Sequence, residues 1–133
     1  KWVGVGGKFE PGEDALGCVQ REVTEETGLA MQAPIYRGIV DFYCDLWPAE
    51  RMHLYTCTQF TGTMTDCDEG TLEWVPKQAV QALPIWQGDK IFFDLLAKEA
   101  PFFHLELFYN GDTLIRAVLD GEKLPLQYAS CDY

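Results

Sequence analysis

The stretch from Asp14 to Thr27 constrains the fold more than any other part of the chain. Leu16, Val19 and Val23 recur at the i, i+3, i+7 spacing of one helix face, and Gly28 stands ready to end the helix. Beside that stripe the same helix carries Glu22, Glu25 and Glu26 on an arc of about 100°. Like charges at i, i+4 cost a few tenths of a kcal/mol, so three carboxylates beside a buried stripe need an offset. Hard divalent cations supply one, because Mg²⁺ and Mn²⁺ take oxygen ligands and Mg²⁺ shares its shell with phosphates. Taken alone, the plainer reading is a solvated acidic face; the flanking residues decide against it.

The rest of the chain reads as strands with one more helix. Residues 2–5 form a strand that runs into Gly6 and Gly7. Residues 35–47 and 51–60 are rich in aromatic and β-branched residues and read as strands joined at Pro48-Ala49-Glu50. Leu72 to Val75 is a short strand ended by Pro76, followed by a helical turn at 78–82. Asp89 to Glu99 is a helix with Asp89 as N-cap and Ile91, Phe92, Leu95 and Leu96 as its core face. Residues 102–109 and 113–119 pair as a hairpin across Asn110-Gly111-Asp112. This is an α+β layer fold, mostly antiparallel. No repeat, low-complexity tract or long linker divides it, so residues 1–133 are expected to be a single domain. Lys1 is no natural start, and a strand already running at Trp2 implies that an N-terminal strand is missing.

Charge and cysteines narrow the function. Ten basic against 21 acidic residues leave a formal charge of −11, which argues against a partner that is a nucleic-acid polymer, since phosphate backbones need clustered Lys and Arg. Small phosphates stay open if a metal ion neutralises the approach. No apolar run nears the ~20 residues of a membrane span. The five cysteines are odd in number and lack CxxC spacing. They read as reduced thiols and predict a cytoplasmic protein.

With its flanks, the acidic segment is Gly7-x5-Glu13-x7-Arg21-Glu22-Val23-x-Glu25-Glu26-x-Gly28-Leu29. It resembles the signature box of the Nudix hydrolases at every specified position. From average residue usage such a match arises by chance in roughly 10⁻⁸ to 10⁻⁷ of chains like this. The resemblance implies an α/β/α sandwich with a mixed sheet between helices. It also implies hydrolysis of a nucleoside diphosphate linked to another moiety, with Mg²⁺ or Mn²⁺. Glu22, Glu25, Glu26 and the backbone of Gly6 would hold metal, with Glu25 and Glu26 also catalytic. Arg21 would fork onto a neighbouring carboxylate and fix its rotamer, a task a Lys does less well. Lys8 would touch phosphate, or else is a solvated loop lysine. Glu13 fits a turn-closing role at the helix start, where negative charge is favoured.

The chain also resembles the MutT-like branch that acts on oxidised purine nucleoside triphosphates. Gly7-Lys8-Phe9-Glu10-Pro11-Gly12-Glu13 has that branch's form. Glu69 falls where the branch carries a further glutamate on a loop, implying a catalytic and metal-binding role. Trp86 and Asp89 fall where an aromatic stacks on the base and an acid reads its edge. Phe42 matches an aromatic pocket wall. Gly88 replaces a first acid, Val3 replaces a polar reader, and Cys44 stands where a second aromatic would be. Each residue has a plainer reading too: Glu69 as solvated charge, Trp86 as a core-edge aromatic, Asp89 as a helix cap. His53 and His104 read as ordinary half-buried strand residues. The expected enzyme splits a nucleoside triphosphate such as 8-oxo-dGTP into monophosphate and pyrophosphate, as a monomer or homodimer acting on small nucleotides. Hydrolysis of ADP-ribose or a dinucleotide is the alternative, and a non-catalytic binding module the rival from another class.

Overall fold

The structure, a computed structural model, describes residues 4–64, 72 and 74–125. Val3, Asp68, Glu69 and Glu73 lie outside the described residues, as do Cys67 and Cys131. The chain divides into two compact units, one built on residues 36–54 and 77–125, the other on residues 4–35 and 55–76.

The second of these units holds helix α1 (Ala15–Thr27) and strands β1 (Ala30–Gln32) and β4 (Gln59–Thr61). Asp14 sits just outside the helix in extended backbone, and its carboxylate accepts from the Gly17 N–H at 2.7 Å. A short acceptor at that position satisfies one of the helix's orphan donors. Gly28 closes the helix at φ 78°, a left-handed conformation that glycine adopts without a Cβ penalty, and its N–H reaches the Thr24 carbonyl at 2.9 Å. The predicted apolar stripe is corrected in one place: Leu16 is exposed, while Cys18 and Thr27 are buried. Cys18 turns inward, its thiol donating to the Gly7 carbonyl at 3.6 Å, and Leu16, two residues back, is carried about 200° around the helix.

The other unit is a five-stranded mixed sheet in the order β3-β2-β5-β6-β7, with helix α2 (Gln87–Ala97) and a 3₁₀ turn at Lys77–Ala82. Its strands are β2 (Ile35–Cys44), β3 (Glu50–Thr56), β5 (Phe103–Asn110), β6 (Thr113–Leu119) and β7 (Glu122–Lys123). β2 and β5 run parallel, with Val40, Phe42 and Cys44 opposite Leu105, Leu107 and Tyr109. β5, β6 and β7 are antiparallel to one another in turn. Val40, Leu105 and Leu107 are fully buried and pack with Ile91 and Phe92 of α2, the period-2 burial of a sheet covered on that face. On β2, Asp41 points the other way. It is buried, and it accepts from Arg51 through two bonds of 2.8 and 3.0 Å and pairs with His104 Nε2 at 2.6 Å. The Arg51 hydrogen bonds, reinforced by His104, hold its carboxyl below the usual carboxylate range despite burial.

Several expected elements change. Gly4 and Val5 have no strand pairing, and Leu72, Trp74 and Val75 lie in irregular backbone. The strand expected at 51–60 breaks at Cys57 and Thr58, because its end leaves β3 and pairs as β4 with β1. The second helix begins at Gln87 with Trp86 in the cap position, so Asp89 lies inside the first turn and is not the N-cap. No described helix is long and apolar enough to cross a membrane.

Candidate active site

Arg21 organises the acidic helix. Its Nε and Nη2 donate to the two carboxylate oxygens of Glu13 at 2.7 and 2.9 Å, the bidentate fork that guanidinium geometry favours. Nη1 donates to Glu22 and to Glu25, both at 3.0 Å, and lies 3.4 Å from Glu10. Nη2 also reaches the Lys8 carbonyl at 3.1 Å, which ties the glycine-rich loop to the helix. One guanidinium thus collects carboxylates from the loop and from two turns of α1. The sequence pointed to a metal as the offset for carboxylate repulsion; within the protein itself, Arg21 supplies part of it.

Glu13 takes the turn-closing role expected of it and a second one. It accepts from the Glu10 N–H at 2.7 Å, while its own N–H donates to the Glu10 carbonyl at 3.0 Å. The hydrogen bonds from Arg21, then from the Glu10 backbone, hold its carboxyl down to about 2. Arg21 is raised correspondingly by Glu13 and Glu22.

The loop and helix meet closely at Gly7. A Cβ built there would lie 2.5 and 2.6 Å from the Glu22 carboxylate oxygens, so any side chain at Gly7 would push the Glu22 carboxylate from its place against the loop. Glu22 is mostly shielded while Glu25 is more than half exposed. Glu22, Glu25 and the half-buried Glu26 are hard oxygen donors of the chemistry that Mg²⁺ and Mn²⁺ take. With Glu22 and Glu25 drawn onto Arg21, no three His, Cys, Asp or Glu side chains among the described residues converge as a metal site.

Trp86, Asp89 and Phe42 belong to the sheet unit. Phe42 and Trp86 are half-buried against its core. Trp86 meets Tyr109 edge to face, with ring centroids 5.6 Å apart at 80°. Asp89 is buried at 6% exposure in the first turn of α2, where the helix dipole favours an acid. Next to it, the Gly88 N–H donates to the Tyr109 hydroxyl at 2.8 Å. Among the expected site residues, the structure gathers Arg21, Glu22 and Glu25 around one guanidinium and brings the Lys8 backbone to it. Glu10 and Tyr109 were not foreseen. Glu10 lies within the quoted motif, and the alternation of β5 places Tyr109 on the core face with Leu105 and Leu107.

The NUDIX domain profile matches residues 1–96. An uncharacterized Nudix hydrolase of Bacillus subtilis (strain 168), YvcI, is 32% identical over 116 residues, which cover 84% of this chain and 73% of that protein. The oxidized purine nucleoside triphosphate hydrolase of Mus musculus is 26% identical over 116 residues, covering 86% and 74%. Among solved structures, the mutator MutT protein from Bacillus halodurans matches with a TM-score of 0.84 and 32% identity, covering 91% of this chain and 83% of that one. The chain belongs to the Nudix hydrolase family.

Proposed function

We propose that this hydrolase cleaves purine nucleoside triphosphates, oxidised ones such as 8-oxo-dGTP among them, into nucleoside monophosphate and pyrophosphate with Mg²⁺ or Mn²⁺. The observation that carries the reading is the Arg21 hub, which holds Glu13, Glu22 and Glu25 beside a loop where Gly7 leaves room for the Glu22 carboxylate. The likeness to the mouse oxidized purine nucleoside triphosphate hydrolase supports the substrate class.

In this reading Glu22, Glu25 and Glu26, with the Gly6 carbonyl, would hold the divalent ions, and Glu69, outside the described residues, would add a ligand. When bound, such ions would neutralise the phosphates and activate a water for attack. Glu25 and Glu26 orient the attacking water and accept its proton as the oxygen bonds to phosphorus. The phosphoanhydride bond breaks and pyrophosphate leaves. Arg21 is a positioning residue, fixing the rotamers of Glu22 and Glu25 through its Glu13 anchor. Lys8 meets a phosphate oxygen, Trp86 stacks on the base against the Phe42 wall, and Asp89 reads its edge. Base–aromatic stacking contributes about 1–3 kcal/mol, enough to set a purine preference. The enzyme works in the cytoplasm on free nucleotides, as a monomer or homodimer.

A panel of purine and pyrimidine triphosphates, ADP-ribose and dinucleotides, assayed with Mg²⁺ for pyrophosphate or phosphate release, tests the proposal. The expected result is pyrophosphate release from purine triphosphates that stops when EDTA removes the metal. Turnover of ADP-ribose or dinucleotides alone contradicts the substrate class, and turnover in EDTA contradicts the metal set.

A further inference from the structure

Tyr109 carries a polar group that the proposed chemistry has not used. It is 8% exposed, on the core face of β5 opposite Cys44 of β2. Its hydroxyl oxygen accepts from the Gly88 N–H at 2.8 Å, and its own proton has no acceptor among the described residues. A buried hydroxyl with an unspent donor is costly unless something accepts that proton. Gly88 explains how the hydroxyl comes to sit there. A Cβ at that position would lie 2.6 Å from the hydroxyl and 2.5 Å from Leu107 Cδ1, so the space beside Asp89 is filled from the sheet and α2 can bear no side chain in that place. The Tyr109 ring also meets Trp86 edge to face.

We propose that the Tyr109 hydroxyl is a specificity-determining donor to O6 of a guanine-type base stacked on Trp86. This rests on the assignment of Trp86 and Asp89 to base recognition. The two neighbours then divide the work: Tyr109 donates, and Asp89 accepts from the amino or ring N–H groups of the same edge. Burial, with Asp89 nearby, raises the Tyr109 phenol above its ordinary range, so it stays a donor throughout the neutral range.

The test compares wild type with Tyr109→Phe, with Mg²⁺ saturating, on dGTP, 7-deaza-dGTP (no N7) and 2-aminopurine deoxyriboside triphosphate (no O6). Tyr109→Phe is expected to lower kcat/KM on dGTP by about 2- to 13-fold, the loss of one neutral hydrogen bond. The wild type is expected to lose at least that factor on the 2-aminopurine analogue, which lacks the N1–H facing Asp89 as well as O6. There Tyr109→Phe costs nothing further, while on 7-deaza-dGTP its penalty persists. An equal loss on all three substrates accompanied by a fall in Tm means a packing role and overturns the inference, as does no loss on dGTP. Should Tyr109→Phe fail to fold, the wild-type arm decides alone: equal kcat/KM on dGTP and the 2-aminopurine analogue overturns it. Trp86→Ala separates the two levels of the argument. If it leaves KM unchanged for every purine, the base site itself is misassigned. If it raises KM while Tyr109→Phe changes nothing, only the Tyr109 role fails.

Discussion

Arg21 shows how much one side chain decides. A lysine at that position keeps the charge but loses the fork that engages Glu13 bidentately while also serving Glu22 and Glu25. Arg21→Lys is therefore expected to lower kcat about 10-fold or more with a smaller change in KM, as for a group that positions others in the transition state. A wild-type kcat in steady-state kinetics would show the hub to be only a surface ion-pair network. Glu13 gives a pH prediction. Its folded carboxyl lies at about 2, below the ordinary 4.5, so the stability it contributes is present above pH 4.5 and is lost as pH falls towards 2. Glu13→Gln is expected to flatten the Tm-against-pH curve within that window and to leave its shape above pH 5 unchanged. A parallel curve for the variant contradicts the assignment.

At the scale of elements, the span of α1 and its stop at Gly28 were legible from the sequence, but Asp14, read as helical, stands outside as the cap and Leu16 of the expected stripe is exposed. Asp14→Ala removes the cap bond to Gly17 and is expected to cost about 0.5–2 kcal/mol, read by urea unfolding as a lower midpoint at unchanged slope. An unchanged midpoint means that the cap bond carries no stability. The failures have equally local causes. Asp89 was read as a cap from its residue type, but the backbone turns helical two residues earlier, after Trp86, leaving the acid buried in the first turn. The run 51–60 has continuous strand propensity, and nothing in its composition marks the break at Cys57, because pairing of β4 with β1 is a tertiary choice. The Asp41–Arg51–His104 group was invisible for the same reason: its members become neighbours only once β2 and β5 lie side by side. Losing Arg51 leaves the buried Asp41 carboxylate with His104 as its remaining partner, so Arg51→Met is expected to cost about 1–3 kcal/mol. A midpoint equal to wild type would show that Asp41 is satisfied without it.

For the whole molecule, a charge of −11 and a proposed polyphosphate substrate are reconciled only if cations mediate between them. That is why the carboxylates of α1 stand at the centre of the account. The box residues were legible as a set because their spacing is fixed by one helix and one loop. The residues proposed to read the base, Phe42, Trp86 and Asp89, were suggested only by resemblance, since they are far apart in sequence, and Tyr109 on β5 was not foreseen at all. The most direct measurement is turnover of Glu25→Gln and Glu26→Gln with Mg²⁺ saturating, alongside their metal-free Tm. The account predicts a loss of kcat by orders of magnitude in both. It predicts a Tm for Glu25→Gln close to wild type, because the Arg21 pair it loses is exposed and such pairs contribute little. Wild-type turnover in either variant would contradict the metal-site assignment.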